Sequence, residues 1–137
     1  MAKEMIKFVE TDGGRKEAGY KTTRAYSDDC VIRSISIALD KDYRTVFVEM
    51  MELGIEMGGY PAMDPVWAAY LKRNGWTKNG CPRDPYGKLI KLRDWKNAPG
   101  RAVVRNSGHL TAIVDGAVLD TWDCRYRPVN SYWTLAD

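Results

Sequence analysis

The sequence has few cysteines, no long apolar run, little net charge and no glutamine. The three cysteines, Cys30, Cys81 and Cys124, are an odd number at long spacing, which excludes a disulfide framework and leaves the thiols available for chemistry. No Cys-x2-Cys pair is present, which argues against a zinc site built from Cys30, Cys81, Cys124 and His109, and no metal or cofactor is expected. No apolar stretch approaches the roughly 18 residues of a membrane span. The N-terminal Met-Ala-Lys-Glu-Met-Ile-Lys lacks the apolar core of a signal peptide. An intracellular, cytoplasmic protein with no membrane partner is the expectation. Net charge is only +3, and lysine and arginine are scattered, so no basic stripe points to nucleic acid. Gly58-Gly59-Tyr60 lacks the Gly-Lys-Ser/Thr ending of a phosphate-binding loop. Internal repeats, low-complexity tracts and linkers are also missing.

What remains is 137 residues that are 45% apolar, with five tryptophans and eight tyrosines. That is the size and composition of one globular domain, spanning 1–137, with a core that needs no disulfides. Lys7 to Glu10 suits a short edge strand, and Thr11-Asp12-Gly13-Gly14 a turn. From Cys30 to Leu39 the apolar residues Val31, Ile32, Ile35, Ala38 and Leu39 fall at helical spacing, with Asp28 or Asp29 as N-cap. Ile37 widens the face, so this helix should be buried on most sides. A second helix starts near Tyr43, carries Val46, Phe47, Met50 and Leu53, and stops at Gly54. A third begins at Asp64-Pro65 and runs to Asn74-Gly75. Leu89, Leu92 and Trp95 suggest a short helix or an irregular apolar stretch.

Beyond Pro99-Gly100 the period changes to two. Arg101 to Arg105 is a strand and Asn106-Ser107-Gly108 a turn. His109 to Val114 and Ala117 to Asp120 form a hairpin about Asp115-Gly116. Tyr126 to Trp133 suits a last strand, which Pro128 would confine to an edge. Helices followed by an antiparallel sheet make an α+β protein.

The hairpin holds the only histidine. A two-residue turn pairs Val114 with Ala117, Ile113 with Val118 and Thr111 with Asp120. His109, Asp120 and Trp122 then share one face, with His109 and Asp120 diagonal neighbours and Asp123 turned away. A thiol is a nucleophile only as thiolate. Cys30, in a first helical turn, has unpaired N–H groups and partial positive charge beside it. His109 could take its proton, Asp120 could orient the imidazole, and the Cys30 N–H could face an oxyanion. Asp28 and Asp29 oppose the thiolate with their charge. Arg33 suits a buried partner for a carboxylate, a substrate contact or a snorkelling helix arginine. Cys81 and Cys124 fit structural roles. Trp122 is a candidate wall of a substrate groove, together with the Gly54–Asp64 and Asn79–Gly87 loops.

Asp-Cys-Val-Ile-Arg at 29–33 and Gly-His-Leu-Thr-Ala-Ile-Val-Asp-Gly-Ala-Val-Leu-Asp at 108–120 resemble the papain-like cysteine peptidase superfamily in its broad sense, transglutaminase-like members included. The order of Cys at a buried helix start, His at a strand start and a polar residue on the next strand is the shared pattern. The combination is similar to small members carried by bacteriophages. The resemblance implies a papain-like core in which helices carrying the Cys pack on the sheet. It also implies Cys30 as nucleophile, His109 as base and Asp120 as orienter in a thiol hydrolase of peptidase, isopeptidase or deamidase type. A protein or peptide would be the substrate, in the host cytoplasm if phage-borne. Such enzymes often place a Gln before the Cys as second oxyanion donor. Lacking one, this chain offers Arg24 or Thr23, with Thr22, Tyr26 and Ser27 as further candidates. The competing expectation is a weakly active or inactive scaffold that binds a host protein.

Overall fold

The computed structural model describes residues 5–23, 25 and 28–136. Three helices, α1 (Cys30–Leu39), α2 (Tyr43–Met57) and α3 (Asp64–Arg73), stand beside six strands: β1 (Lys7–Glu10), β2 (Trp76–Asn79), β3 (Arg101–Asn106), β4 (His109–Val114), β5 (Ala117–Asp120) and β6 (Ser131–Leu135). The strands form one sheet in the order β1-β5-β4-β3-β6-β2. The protein is α+β, but the expected antiparallel sheet is mixed. Lys7 to Glu10 does lie at an edge, yet it pairs parallel with β5. None of the helices is long and apolar enough to cross a membrane, among the described residues.

The two central hairpins follow from local chemistry. Asp115 and Gly116 both have positive φ, 51° and 76°, the left-handed pair that a tight two-residue turn requires. Val114 opposite Ala117 and Ile113 opposite Val118 give the expected register. Ser107-Gly108 repeats the device, closing β3 on β4 with Asn106 opposite His109. Alternation then sends Leu110 and Ala112 into a core with α1, α2 and α3 on one face of the sheet. Ile113, with Ala102, Val104 and Val118, meets Leu92, Trp95, Cys124 and Val129 on the other. Both faces of β4 are therefore covered, and its first five residues are buried.

α1 packs against β4 and is buried nearly all round, including Arg33, Ser34 and Ser36. The serine hydroxyls donate back to the Cys30 and Ile32 carbonyls, so neither is left unpaired in the interior. Asp29 occupies the N-cap position, but its side chain makes no capping bond. α2 is capped by Asp42, which accepts from the Thr45 N–H at 3.1 Å.

Several boundaries differ from expectation. α2 runs past Gly54 to Gly58, which takes the left-handed C-cap position. Gly54 is instead a buried point of close approach, with its carbonyl accepting from the Gly59 N–H at 2.9 Å. α3 is capped one residue early by Met63, leaving Asp64 inside the first turn, where its carboxylate takes the Trp67 indole and the Arg105 guanidinium. The last strand is Ser131–Leu135 and lies inside the sheet between β3 and β2. Pro128 precedes it, so its missing N–H interrupts no ladder bond. β2 was not expected. Only its Trp76 is buried, so four residues carry no alternation to read. Leu92–Asp94 is one short 3-10 turn.

The Gly54 contact has a testable sign. A Cβ there would lie 2.5 Å from the Gly59 carbonyl oxygen. Alanine for glycine in an open helix interior stabilises by about 1 kcal/mol. Here Gly54→Ala is expected to destabilise, by about 1–3 kcal/mol for an overpacked contact. Urea unfolding monitored by circular dichroism reads the sign directly.

Candidate active site

The hairpin turn sets the first half of the site. His109 opens β4 and Asp120 closes β5, and the register brings His109 Nε2 to 2.7 Å from Asp120 Oδ2. Both residues are buried. Asp123 is exposed and held by Arg125 through two short ion-pair contacts, so it stays out of the site.

Asp120 is held from several sides. Its Oδ1 accepts from Arg33 at 3.0 Å and from the Thr121 N–H at 2.7 Å. Burial pushes this carboxyl up. The His109 hydrogen bond, the nearby Thr111 hydroxyl and the charges of His109 and Arg33 outweigh it, holding the group down at about 2. The Thr111 oxygen itself forms no well-shaped hydrogen bond, so His109 and Arg33 carry the effect. For His109, burial lowers and the bonds to Asp120, Cys124 and Cys30 raise, leaving the imidazole up at about 11. Asp120 and His109 are thus an ion pair at neutral pH.

Cys30 begins α1 and is half-buried. His109 and the Leu110 N–H are the neighbours that act on its thiol. With Nε2 engaged by Asp120, Nδ1 is the ring nitrogen left for sulfur. Burial raises the thiol pKa. The His109 bond, the Leu110 N–H and the charges of His109 and Arg33 bring it below its ordinary value. The helix start adds in the same direction. The structure therefore brings Cys30, His109 and Asp120 together, with the imidazolium paired to the carboxylate and the thiol pKa lowered beside them.

The carboxylates flanking the thiol behave differently from one another. Asp28 is exposed. Asp29 turns inward, where Arg33 and Arg15 pair with its two oxygens and the Tyr43 hydroxyl donates to Oδ2 at 2.6 Å. Its charge is matched by two guanidinium groups, which offsets the opposition expected at the thiol. Arg33, raised by Asp120 and Asp29 despite its burial, is the buried carboxylate partner and not a snorkelling surface arginine.

Two cavities meet at Cys30 and His109. One, of about 460 Å3, has an apolar wall of Phe47, Met51, Tyr60 and Trp67. The other, of about 510 Å3, is bounded by Thr121, Trp122 and Arg127. Trp122 lies with its ring centre 4.7 Å from that of His109, under the Arg127 guanidinium. Of the two expected loop walls, Tyr60, Pro61 and Ala62 contribute to the first cavity. The Asn79–Gly87 loop does not, because Pro82 to Pro85 line a separate cavity with Trp95 and Tyr132. Among the oxyanion candidates, Thr23 is exposed and lines neither cavity. Thr22 lines the second. Arg24, Tyr26 and Ser27 lie outside the described residues.

Two residues beside the site stand outside the expected triad: Arg15 had no expected role, and Cys124 was expected to be structural. Arg15 lines both cavities beside Cys30, but a lone arginine in a polar segment carries no signal. Cys124 is fully buried with its Sγ 3.6 Å from Asp120 Oδ2. Cys81 is elsewhere, with its thiol against the Val129 carbonyl, so the cysteines do not converge as a Cys3His set. The triple that does converge is His109, Asp120 and Cys124.

Compared with models of protein families, with curated proteins and with solved structures, the chain finds no match in any of the three. A thiol with a lowered pKa, an imidazolium able to give and regain a proton, and an N–H group at a helix start are groups that nucleophilic acyl transfer can use.

Because the chain has one histidine, the ion pair is directly readable by NMR. The His109 ring is expected to remain imidazolium at pH 8. Asp120→Asn should bring its titration down towards the ordinary 6.5. His109, raised in the fold, stabilises fully below 6.5, and this is lost as pH climbs through about 11. Asp120, depressed in the fold, stabilises above 3.8, and this is lost as pH falls through about 2. The melting-temperature gap between the wild type and Asp120→Asn should thus be widest between these ordinary values and narrow in alkali. Arg33→Met leaves two buried carboxylates short of a partner and is expected to cost about 3–5 kcal/mol in urea unfolding.

Proposed function

We propose that this protein is a thiol hydrolase of papain-like type, acting on an amide or isoamide bond of a protein or peptide. The observation that carries this reading is the convergence of Cys30, His109 and Asp120, with the imidazole hydrogen-bonded to Asp120 and two cavities each lined by both Cys30 and His109. The papain-like core is part of the same proposal. It is supported by α1 presenting its first residue to the first residue of β4, with the carboxylate supplied by the next strand.

The reaction runs through a thiolate–imidazolium pair. The Cys30 thiolate attacks the carbonyl carbon, and the C=O electron pair moves onto oxygen beside the Cys30 N–H. As the tetrahedral intermediate collapses, the C–N bond breaks and the imidazolium gives its proton to the departing amine. An acyl-thioester remains. Water then attacks with His109 taking its proton, the C–S bond breaks, and the acid product and the thiolate–imidazolium pair are restored. Asp120 keeps the ring oriented through both steps. Peptidase, isopeptidase and deamidase outcomes share this route and differ only in the amine that leaves.

A binding role is the second reading. Val48, Met51 and Ile55 are exposed along one stripe of α2, spaced as helix neighbours, and exposed apolar stripes serve partner docking. Cys30→Ala separates the two readings, abolishing function in the first and sparing it in the second.

The direct test is alkylation by iodoacetamide at pH 7, located by peptide mass spectrometry. Cys30 is expected to react about tenfold faster than a thiol in a short peptide, since more thiolate is partly offset by lower nucleophilicity. His109→Ala should remove that advantage. A Cys30 that reacts at the peptide rate, unchanged by His109→Ala, would overturn the proposal.

A further inference from the structure

Cys124 is a fully buried thiol that acyl transfer does not use. Its Sγ lies 3.6 Å from Asp120 Oδ2, the same oxygen that meets His109 Nε2 at 2.7 Å. The three donor atoms all fall within 4.8 Å of one another. Two further buried oxygens, Asn106 Oδ1 and Thr111 Oγ1, form no hydrogen bond of good geometry. Asn106 stands directly opposite His109 in the β3–β4 ladder, and Thr111 is two residues along β4. Both therefore share the His109 face. Asn106 also donates through Nδ2 to the Cys124 carbonyl at 3.2 Å. Unpartnered buried polar atoms are rare and call for an explanation.

We propose that His109 Nε2, Asp120 Oδ2 and Cys124 Sγ form a site for a thiophilic divalent cation, with Zn2+ as the best fit, and that the ion holds the candidate active site in an off state.

One nitrogen, one oxygen and one sulfur donor suit zinc and leave a fourth position for water. Tetrahedral zinc, with bonds of about 2.0–2.3 Å, separates an oxygen and a sulfur donor by about 3.6 Å, which is the spacing already present. Nitrogen and oxygen donors would sit about 3.4 Å apart, so the His109–Asp120 contact must open by about 0.7 Å from its present 2.7 Å. The outer shell is in place. Arg33 and the Thr121 N–H hold Asp120 Oδ1 and leave Oδ2 facing the other two ligands. The cavity bounded by Thr121, Trp122 and Arg127 leads to His109 from outside.

Binding exchanges protons for metal. The Nε2 proton shared with Asp120 and the Cys124 thiol proton are released, two per ion, while Nδ1–H stays towards Cys30. Asp120 then ligates the ion and no longer orients the ring. The off state rests on the reading of Cys30 as nucleophile. The ion site does not.

The two are separated by working first in Cys30→Ala, which removes the nucleophile and keeps all three ligands. Co2+, as a spectroscopic stand-in for Zn2+, is expected to bind one-to-one with a thiolate-to-metal charge-transfer band. Zn2+ should displace it. In Cys30→Ala/Cys124→Ser the band should vanish and Zn2+ affinity, from chelator competition, fall at least 100-fold. Absence of the band in Cys30→Ala overturns the site whatever the second variant does. So does equal Zn2+ affinity in the two variants. In the intact protein, one equivalent of Zn2+ should slow Cys30 alkylation at least tenfold and leave Cys124→Ser unaffected. A bound ion that leaves alkylation unchanged overturns the off state and keeps the site.

Discussion

The Arg33 guanidinium is the interaction on which the rest of this structure depends. It lies one turn along α1 from Cys30, is buried, and pairs with Asp29 through one nitrogen and Asp120 through another. The first partner begins the helix that carries the thiol. The second ends the strand that carries the carboxylate. One side chain thus fixes the helix start relative to the hairpin, and with it the approach of Cys30 to His109. Arg15 and Tyr43 extend the network by binding the far oxygen of Asp29, which ties the N-terminal loop and α2 to the same point.

The network also answers a charge problem. A buried ion is costly unless it is paired and hydrogen-bonded. Arg15, Arg33 and the His109 imidazolium are three cations, and Asp29, Asp120 and an ionised Cys30 are three anions. They alternate along the chain of contacts, so the cluster as a whole is neutral. That balance favours the ionised thiol despite two aspartates immediately before it in sequence. It also explains why Asp29 makes no helix cap: its oxygens are spent on guanidinium groups and a phenol.

Position within the sheet decides how much freedom the site has. His109 sits on a strand covered on both faces and closed at each end by a two-residue turn, so its ring is placed by rigid elements and not by a loop. Cys124, in contrast, follows the hairpin in irregular chain and reaches Asp120 from behind. The same carboxylate therefore faces two chemistries, an imidazole that it orients and a thiol with which it could share an ion.

Much of this was legible from local pattern. The Asp-Gly turn sets a register by backbone sterics alone, and a period of two then decides which side chains share a face, so His109 beside Asp120 in preference to Asp123 follows from a few residues. The start of α1 at Cys30 is likewise a matter of helical spacing after a break. What needed the tertiary structure was every contact between segments distant in the chain. The mixed sheet arises because β1 adds in parallel, a pairing that no local pattern encodes. β2 is strand only because β6 lies beside it, and the Gly59 carbonyl packed where a Gly54 side chain would be is a contact that only the fold shows. Arg15, Cys124 and the two partners of Arg33 belong to the site for the same reason. By itself the sequence determined the turns, the periods and hence the two halves of a candidate triad. Only the packing of helix on sheet decided that the halves meet, because charge pairing across tens of residues is a property of space and not of spacing.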